Sequence, residues 1–186
     1  MNRKTALITG ATSGIGMACA RRFAVGGYNL IITGRSADKL QALKAELEAG
    51  GVEVLALAFD VCNREATRDA VASIPDAFKP IDVLINNAGL ARGLEPEYEG
   101  DFQDWDEMID TNIKGLLNMT RFVVPGMVSL NHGHVINIGS VAGDAAYAGG
   151  GVYCATKAAV NALTDGLRID VAHTSVRVTN LKPGLV

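Results

Sequence analysis

Tyr153 and Lys157 stand four residues apart in the run Tyr153-Cys154-Ala155-Thr156-Lys157, so on a helix they share one face. A phenol alone is a poor acid or base near neutrality. A lysine charge about 4 Å away, at an effective dielectric of about 20, stabilises a phenolate by about 4 kcal/mol. Such a pair suits proton transfer to a carbonyl oxygen as a hydride reaches the carbon. Taken alone, Y-x-x-x-K is a common pattern of amphipathic helix surfaces. It gains meaning from Ser140, in Ile138-Gly139-Ser140-Val141-Ala142-Gly143, because that run ends a strand pattern. Ligand crevices of open α/β sheets lie at the carboxyl ends of strands. A hydroxyl there can hydrogen-bond the reacting oxygen and stabilise its developing charge.

A second chemical group lies near the start of the chain. Thr9-Gly10-Ala11-Thr12-Ser13-Gly14-Ile15-Gly16 follows a strand pattern and opens a helix pattern. Gly10, Gly14 and Gly16 permit a tight turn, and Thr12, Ser13 and Ile15 complete a cradle whose free N–H groups receive a pyrophosphate. The spacing is G-x-x-x-G-x-G, where G-x-G-x-x-G is the commoner form. An NAD reader would place an Asp or Glu about 20 residues later, on the ribose hydroxyl. Here Thr33-Gly34-Arg35-Ser36 offers Arg35, whose guanidinium suits a 2′-phosphate, so NADP is expected in preference to NAD. Asp38 belongs to the first turn of the next helix.

These groups need a scaffold, and the pattern supplies one. Short apolar runs at 4–9, 29–33, 53–59, 83–86, 134–138 and 175–180 alternate with helical patterns at 15–25, 37–49, 64–73, 105–130 and 152–173. Near-continuous apolar strands separated by helices imply an α/β fold, a Rossmann-like, doubly wound parallel sheet with helices on both faces. Residues 90–103, mixing Gly, Pro and acids, are expected to form a surface loop. No linker, repeat or low-complexity tract divides residues 1–186, which are expected to form a single domain.

The 186 residues are 48% hydrophobic and 20% charged, enough to bury a substantial core. A net charge of -3 argues against a nucleic acid or an anionic membrane surface as the partner. Ala6-Leu7-Ile8 is too short for a signal-peptide core, and no later run approaches a membrane span. Cys19, Cys62 and Cys154 are odd in number and far apart, which fits a reducing, cytoplasmic compartment. With His132, His134 and His173 they lack metal-ligand spacing, so no metal is expected.

The ordered set of motifs resembles the short-chain dehydrogenase/reductases along the whole chain. It comprises the glycine turn, Asp60, Asn86-Asn87-Ala88-Gly89, Asn112, Ser140, Tyr153, Lys157 and Pro183-Gly184. The resemblance implies an oxidoreductase with Tyr153 as acid/base and Ser140 orienting the carbonyl. Lys157 would grip the nicotinamide ribose, and Asn112 would anchor a water that links Lys157 to solvent. It implies that Asp60 and Val61 hold the adenine, and that Asn87, Ala88 and Gly89 pack under the adenosine ribose and steady the sheet. Pro183, Gly184 and Val186 would complete the cofactor contacts. The long helices at 105–130 and 152–173 resemble the family's dimer-forming pair, so a homo-oligomer, dimer or tetramer, is expected by analogy.

Within the family, the stretches 87–91, 105–115, 131–140 and 147–153 are similar to the 3-hydroxy acid dehydrogenases. These act on serine, allo-threonine, 3-hydroxyisobutyrate or, in reverse, malonic semialdehyde. Gly149, Gly150 and Gly151 are expected to leave the pocket floor open and small. Arg92 and Tyr147 are the candidate substrate contacts beyond Ser140 and Tyr153. Other small ketones or aldehydes, or cofactor binding without catalysis, are the alternatives; the glycine spacing argues against an epimerase of the extended branch. Family members usually continue past Pro183-Gly184 with a substrate loop, helices and a final strand, so the natural protein is expected to extend beyond Val186.

Overall fold

The computed structural model describes residues 3–184. Six strands, β1 (Thr5–Ile8), β2 (Asn29–Gly34), β3 (Val54–Ala58), β4 (Ile81–Asn86), β5 (His134–Ile138) and β6 (Arg177–Leu181), form one sheet. Every pairing is parallel, in the order β3-β2-β1-β4-β5-β6. The order reverses between β1 and β4, and at such a switch point a crevice opens beyond the carboxyl ends of the strands.

Helices α1 (Gly14–Val25) and α2 (Ala37–Glu48) cover one face; α3 (Arg64–Ala72), α5 (Leu116–Ser129) and α6 (Gly151–Asp170) cover the other. Alternation along the strands divides the core. Ala6, Ile8, Leu30 and Ile32 pack with Ala20, Leu40, Leu43 and Leu47. Leu7, Ile31, Leu84 and Val135 pack with Met119, Val123, Val124 and Met127. Burying each such Leu, Ile, Val or Met side chain stabilises the fold by about 1.5–3 kcal/mol, so the strand ends are held on a rigid base.

The expected elements all form, with three informative differences. The continuous helix expected over 105–130 is two helices, α4 (Phe102–Ile109) and α5, joined by a π-helical turn at Asp110–Gly115. Such wider turns insert one extra residue and recur at functional sites. Helix α4 also begins three residues early, because Asp101 Oδ1 accepts the Gln103 N–H at 2.6 Å and caps it. Strand β6 starts at Arg177, two residues late. Side chains already take the preceding N–H groups: Ser175 N donates to Asn131 Oδ1 at 2.7 Å and Val176 N to Thr174 Oγ1 at 3.1 Å. Residues 90–101 form the expected exposed loop, with one short turn at Glu97–Glu99. Among the described residues no helix is long and apolar enough to cross a membrane.

Candidate active site

A cleft of about 420 Å³ lies along the carboxyl ends of the strands. At one end, β1 runs into the glycine turn. Gly10 adopts φ +63° and Gly14 φ +50°, backbone that other residues adopt only with strain. Thr12, Ser13, Gly14 and Ile15 face the cleft with Gly10. Gly16 does not; it is the packing member of the motif, since a Cβ there would overlap the Gly10 carbonyl oxygen and the Asn87 amide.

The turn is braced from β4. Asn87 Nδ2 donates to the carbonyls of Thr9 at 2.8 Å and Gly10 at 3.1 Å. Thr9 Oγ1 accepts the N–H groups of Asn87 at 3.0 Å and Ala88 at 2.9 Å. Asn87 thus ties two neighbouring strand ends together, the steadying part of its expected role. Thr9 is half of this clamp, and nothing in its sequence context sets it apart.

Arg35 stands at the end of β2, exposed, on the cleft wall, and without a hydrogen bond or ion pair among the described residues. No acid stands at that strand end; Asp38 lies in the first turn of α2. Asp60 and Val61 line the next wall. Asp60 Oδ1 accepts the Cys62 N–H at 2.9 Å, and Asn63 instead caps α3 through the Ala66 N–H at 3.0 Å. The Val61 carbonyl is held by Asn118 Nδ2 at 2.8 Å.

The other end of the cleft carries Ser140, Tyr153 and Lys157. Ser140 follows β5 and is 8% exposed; its Oγ accepts the Ala142 N–H at 3.1 Å, which leaves the hydroxyl proton for a ligand in the cleft. Tyr153 and Lys157 lie on α6, with Lys157 Nζ 5.8 Å from the centre of the Tyr153 ring. Lys157 is buried, and its Nζ donates to the Ile138 carbonyl at 2.9 Å. Burial brings its ammonium down to about 8, so it still carries its charge at neutral pH. Pro183 and Gly184 close the wall; Val186 lies outside the described residues.

Asn112 sits behind this end of the cleft, 2% exposed, in the π-helical turn. Its Nδ2 donates to the Leu90 carbonyl at 2.9 Å and Thr156 Oγ1 at 3.0 Å, and its Oδ1 accepts the Leu90 N–H at 2.8 Å. Both amide hydrogens are therefore committed to protein. The side chain clamps the loop after β4 to α6, one residue from Lys157.

Beside Tyr153 a smaller recess is lined by Arg92, Tyr147 and the loop 93–101. The glycines before Tyr153 do not leave its floor open as expected. The Leu94 main chain, the Tyr147 ring and the Glu97 carboxylate occupy the positions where side chains on Gly149, Gly150 and Gly151 would stand. The glycines let the loop dock on the start of α6. Arg92 Nε meets Glu107 Oε2 at 3.2 Å, so its charge is shared. Of the histidines, His132 pairs with Asp82, His134 with Thr179 and Arg177, and His173 is exposed.

Known proteins resemble the chain over nearly its whole length. The family model described as short chain dehydrogenase matches residues 4–186. NADP-dependent 3-hydroxy acid dehydrogenase YdfG of Salmonella typhi is 55% identical over 180 residues, covering 97% of this chain and 71% of that protein. The crystal structure of serine dehydrogenase from Escherichia coli superposes with a TM-score of 0.94 at 51% identity, over 98% of this chain and 83% of that one. A closed form of serine dehydrogenase complexed with NADP+ gives a TM-score of 0.94 at 51% identity, over 97% and 72%. A glycine turn braced by Asn87, and a cleft lined by Ser140, Tyr153 and the buried Lys157, stand on a matching sheet: the chain belongs to the short chain dehydrogenase family.

Proposed function

We propose that the protein catalyses reversible, NADP-dependent hydride transfer at the hydroxyl-bearing carbon of a small 3-hydroxy acid, such as serine, allo-threonine or 3-hydroxypropionate. The observation that carries this is the catalytic end of the cleft, where Ser140, Tyr153 and Lys157 line one wall and Lys157 is locked to the end of β5. The names of the relatives support both cofactor and substrate class.

The residues fit NADP. Gly10, Thr12, Ser13, Gly14 and Ile15 would hold the pyrophosphate, with Gly16 packed beneath the turn; Arg35 would hold the 2′-phosphate, in preference to NAD. Asp60, Val61, Asn87, Ala88 and Gly89 would seat the adenosine half, and Lys157, Tyr153, Pro183 and Gly184 the nicotinamide half. The bound nicotinamide would supply the hydride acceptor for oxidation and the hydride donor for reduction.

The chain's own groups manage the proton. In oxidation the Tyr153 phenolate takes the alcohol proton; in reduction the Tyr153 phenol returns one to the carbonyl oxygen. Ser140 donates a hydrogen bond to that same oxygen and fixes its position. Lys157 stabilises the phenolate with its charge. Asn112 fixes the region behind Lys157 through which solvent protons would reach it. This proton and hydride chemistry requires no metal. Arg92 and Tyr147 would meet the remainder of the substrate in the recess. Glu95, Glu97, Asp101 and Asp104 also line that recess. They favour serine and allo-threonine, whose ammonium offsets the carboxylate, over 3-hydroxypropionate.

We place this activity in a single domain, in the cytoplasm, in a homo-oligomeric dimer or tetramer. Leu117 on α5 and Ile169 on α6 support the assembly, being 42% and 75% exposed. The deciding assay follows NADPH absorbance with malonic semialdehyde and, in reverse, serine with NADP+. No turnover of either by protein that binds NADPH defeats the hydroxy-acid reading.

A further inference from the structure

Three segments form the catalytic wall of the cleft: the turn beginning at Ser140, helix α6, and Pro183 and Gly184 just after β6. Asn161, one turn beyond Lys157 on α6, joins them. Its Nδ2 donates to the Gly143 carbonyl at 3.0 Å and to Asp144 Oδ1 at 3.1 Å. Its Oδ1 accepts Asn180 Nδ2 of β6 at 2.7 Å. Asp144 also takes Lys182 Nζ at 2.7 Å, directly before Pro183. One side chain therefore has partners on the Ser140 turn and on β6.

The Ser140 turn needs such support. It is a single 3₁₀ turn, Val141–Gly143, closed by Gly143 N to the Ser140 carbonyl at 3.0 Å and Asp144 N to the Val141 carbonyl at 3.0 Å. Short 3₁₀ pieces have poor hydrogen-bond geometry and hold little shape alone. The turn also lies flat on α6, since a Cβ on Gly143 would come within 2.7 Å of the Lys157 main chain. Asn180 is oriented at a cost: its Oδ1 is buried, against Gly139, without a partner among the described residues, while its Nδ2 reaches Asn161. Buried polar atoms are rarely left unpaired, and one that is calls for a reason. Holding Asn161 supplies it.

We infer that Asn161 is a positioning residue for the reaction, fixing the Ser140 turn against α6 and so setting the Ser140 hydroxyl relative to Tyr153. It acts through Ser140 and touches no reacting atom. The inference rests on the roles of Ser140 and Tyr153 proposed above.

The test is Asn161→Ala, with the near-isosteric Asn161→Asp as a variant that keeps the Asn180 bond but loses the donor to Gly143. Each is expected to lower kcat about ten- to a hundredfold, with NADPH Kd within about twofold of wild type. Asn180→Ala should produce a comparable kcat loss, and the double variant with Asn161→Ala little more than either single. Amide exchange at Gly143 and Asp144 should quicken about tenfold or more. A lower Tm with unchanged kcat in either folded Asn161 variant makes the residue merely structural and overturns the inference. If wild-type protein turns over no 3-hydroxy acid, the functional reading falls first. Amide exchange then decides separately, and unchanged protection at Gly143 and Asp144 overturns this inference.

Discussion

Lys157 Nζ donates to the carbonyl oxygen of Ile138 at 2.9 Å, pinning the middle of α6 to the last residue of β5, two positions before Ser140. The bond fixes the helix but also buries a cation, whose ammonium falls to about 8 from an ordinary 10.5. Below pH 8 both folded and unfolded chains carry the proton, and the fold bears the full desolvation cost, roughly 3 kcal/mol for such a shift. Between pH 8 and 10.5 the folded state releases its proton first, so the contribution of this group to stability rises with pH. Lys157→Met should therefore be about 1–2 kcal/mol more stable than wild type at pH 7, after the unpaired Ile138 carbonyl is counted. The gain should shrink above pH 8 and reverse by pH 10.5, where the wild type should be about 1–2 kcal/mol the more stable. Urea unfolding across that range checks it; a variant less stable at pH 7 would show that the hydrogen bond outweighs the desolvation.

Tyr153 makes no hydrogen bond with the described residues through its hydroxyl, so removing that oxygen should cost the fold little. Tyr153→Phe is expected to lower kcat by about 10²–10⁴-fold. NADPH affinity, measured by fluorescence titration, should stay within about twofold. Turnover near the wild-type level would refute the proton-transfer role.

What was legible in the sequence was what local spacing encodes. Tyr153 and Lys157 share a helix face by count alone, the glycine turn sits between a strand and a helix pattern, and Ser140 ends an apolar strand. The hidden part consists of contacts made by main chain or across long separations. Ile138 contributes a carbonyl, a group every residue has. Asn112 reaches Leu90 and Thr156, separated from it by 22 and 44 residues. The π-helical turn leaves the apolar period of 105–130 intact enough to read as one helix. Gly149–Gly151 read as open space because a sequence does not show which segment, here Leu94–Glu97 with Tyr147, fills the room glycines leave.

Gly16 distinguishes packing from ligand contact within the glycine motif. It faces away from the cleft, yet a Cβ there would strike both the Gly10 carbonyl and the Asn87 amide that braces the turn. Gly16→Ala should destabilise the fold by about 1–3 kcal/mol and weaken NADP and NAD binding alike, because the cradle itself shifts. Calorimetry with both cofactors tests this. Normal affinity for both would show that the turn yields without consequence.

Arg35 should behave in the opposite way, discriminating between cofactors. It is exposed and makes no ion pair with the described residues, so its replacement disturbs no packing. A charge-assisted contact to a 2′-phosphate is worth about 1.5–3 kcal/mol. Arg35→Ala should accordingly weaken NADP binding about ten- to a hundredfold while changing NAD binding less than about twofold. Equal losses for the two cofactors would remove the 2′-phosphate role.

Arg92 and Glu107 offer a test of where the substrate's carboxylate lies. The pair meets at 3.2 Å with the Arg92 side chain 51% exposed and Glu107 37% exposed. Exposed pairs of this kind contribute about 0–1 kcal/mol, so a substrate can draw the guanidinium away at little cost. If it does, Arg92→Ala should raise the KM for 3-hydroxypropionate about tenfold at near-constant kcat, the signature of lost uniform binding. Glu107→Gln should do the reverse, lowering KM about two- to fivefold by ending the competition for Arg92. The effect should weaken in high salt, as expected for charges in contact with water. Unchanged KM in both variants would place the carboxylate elsewhere and leave Arg92 as a helix-to-loop tie.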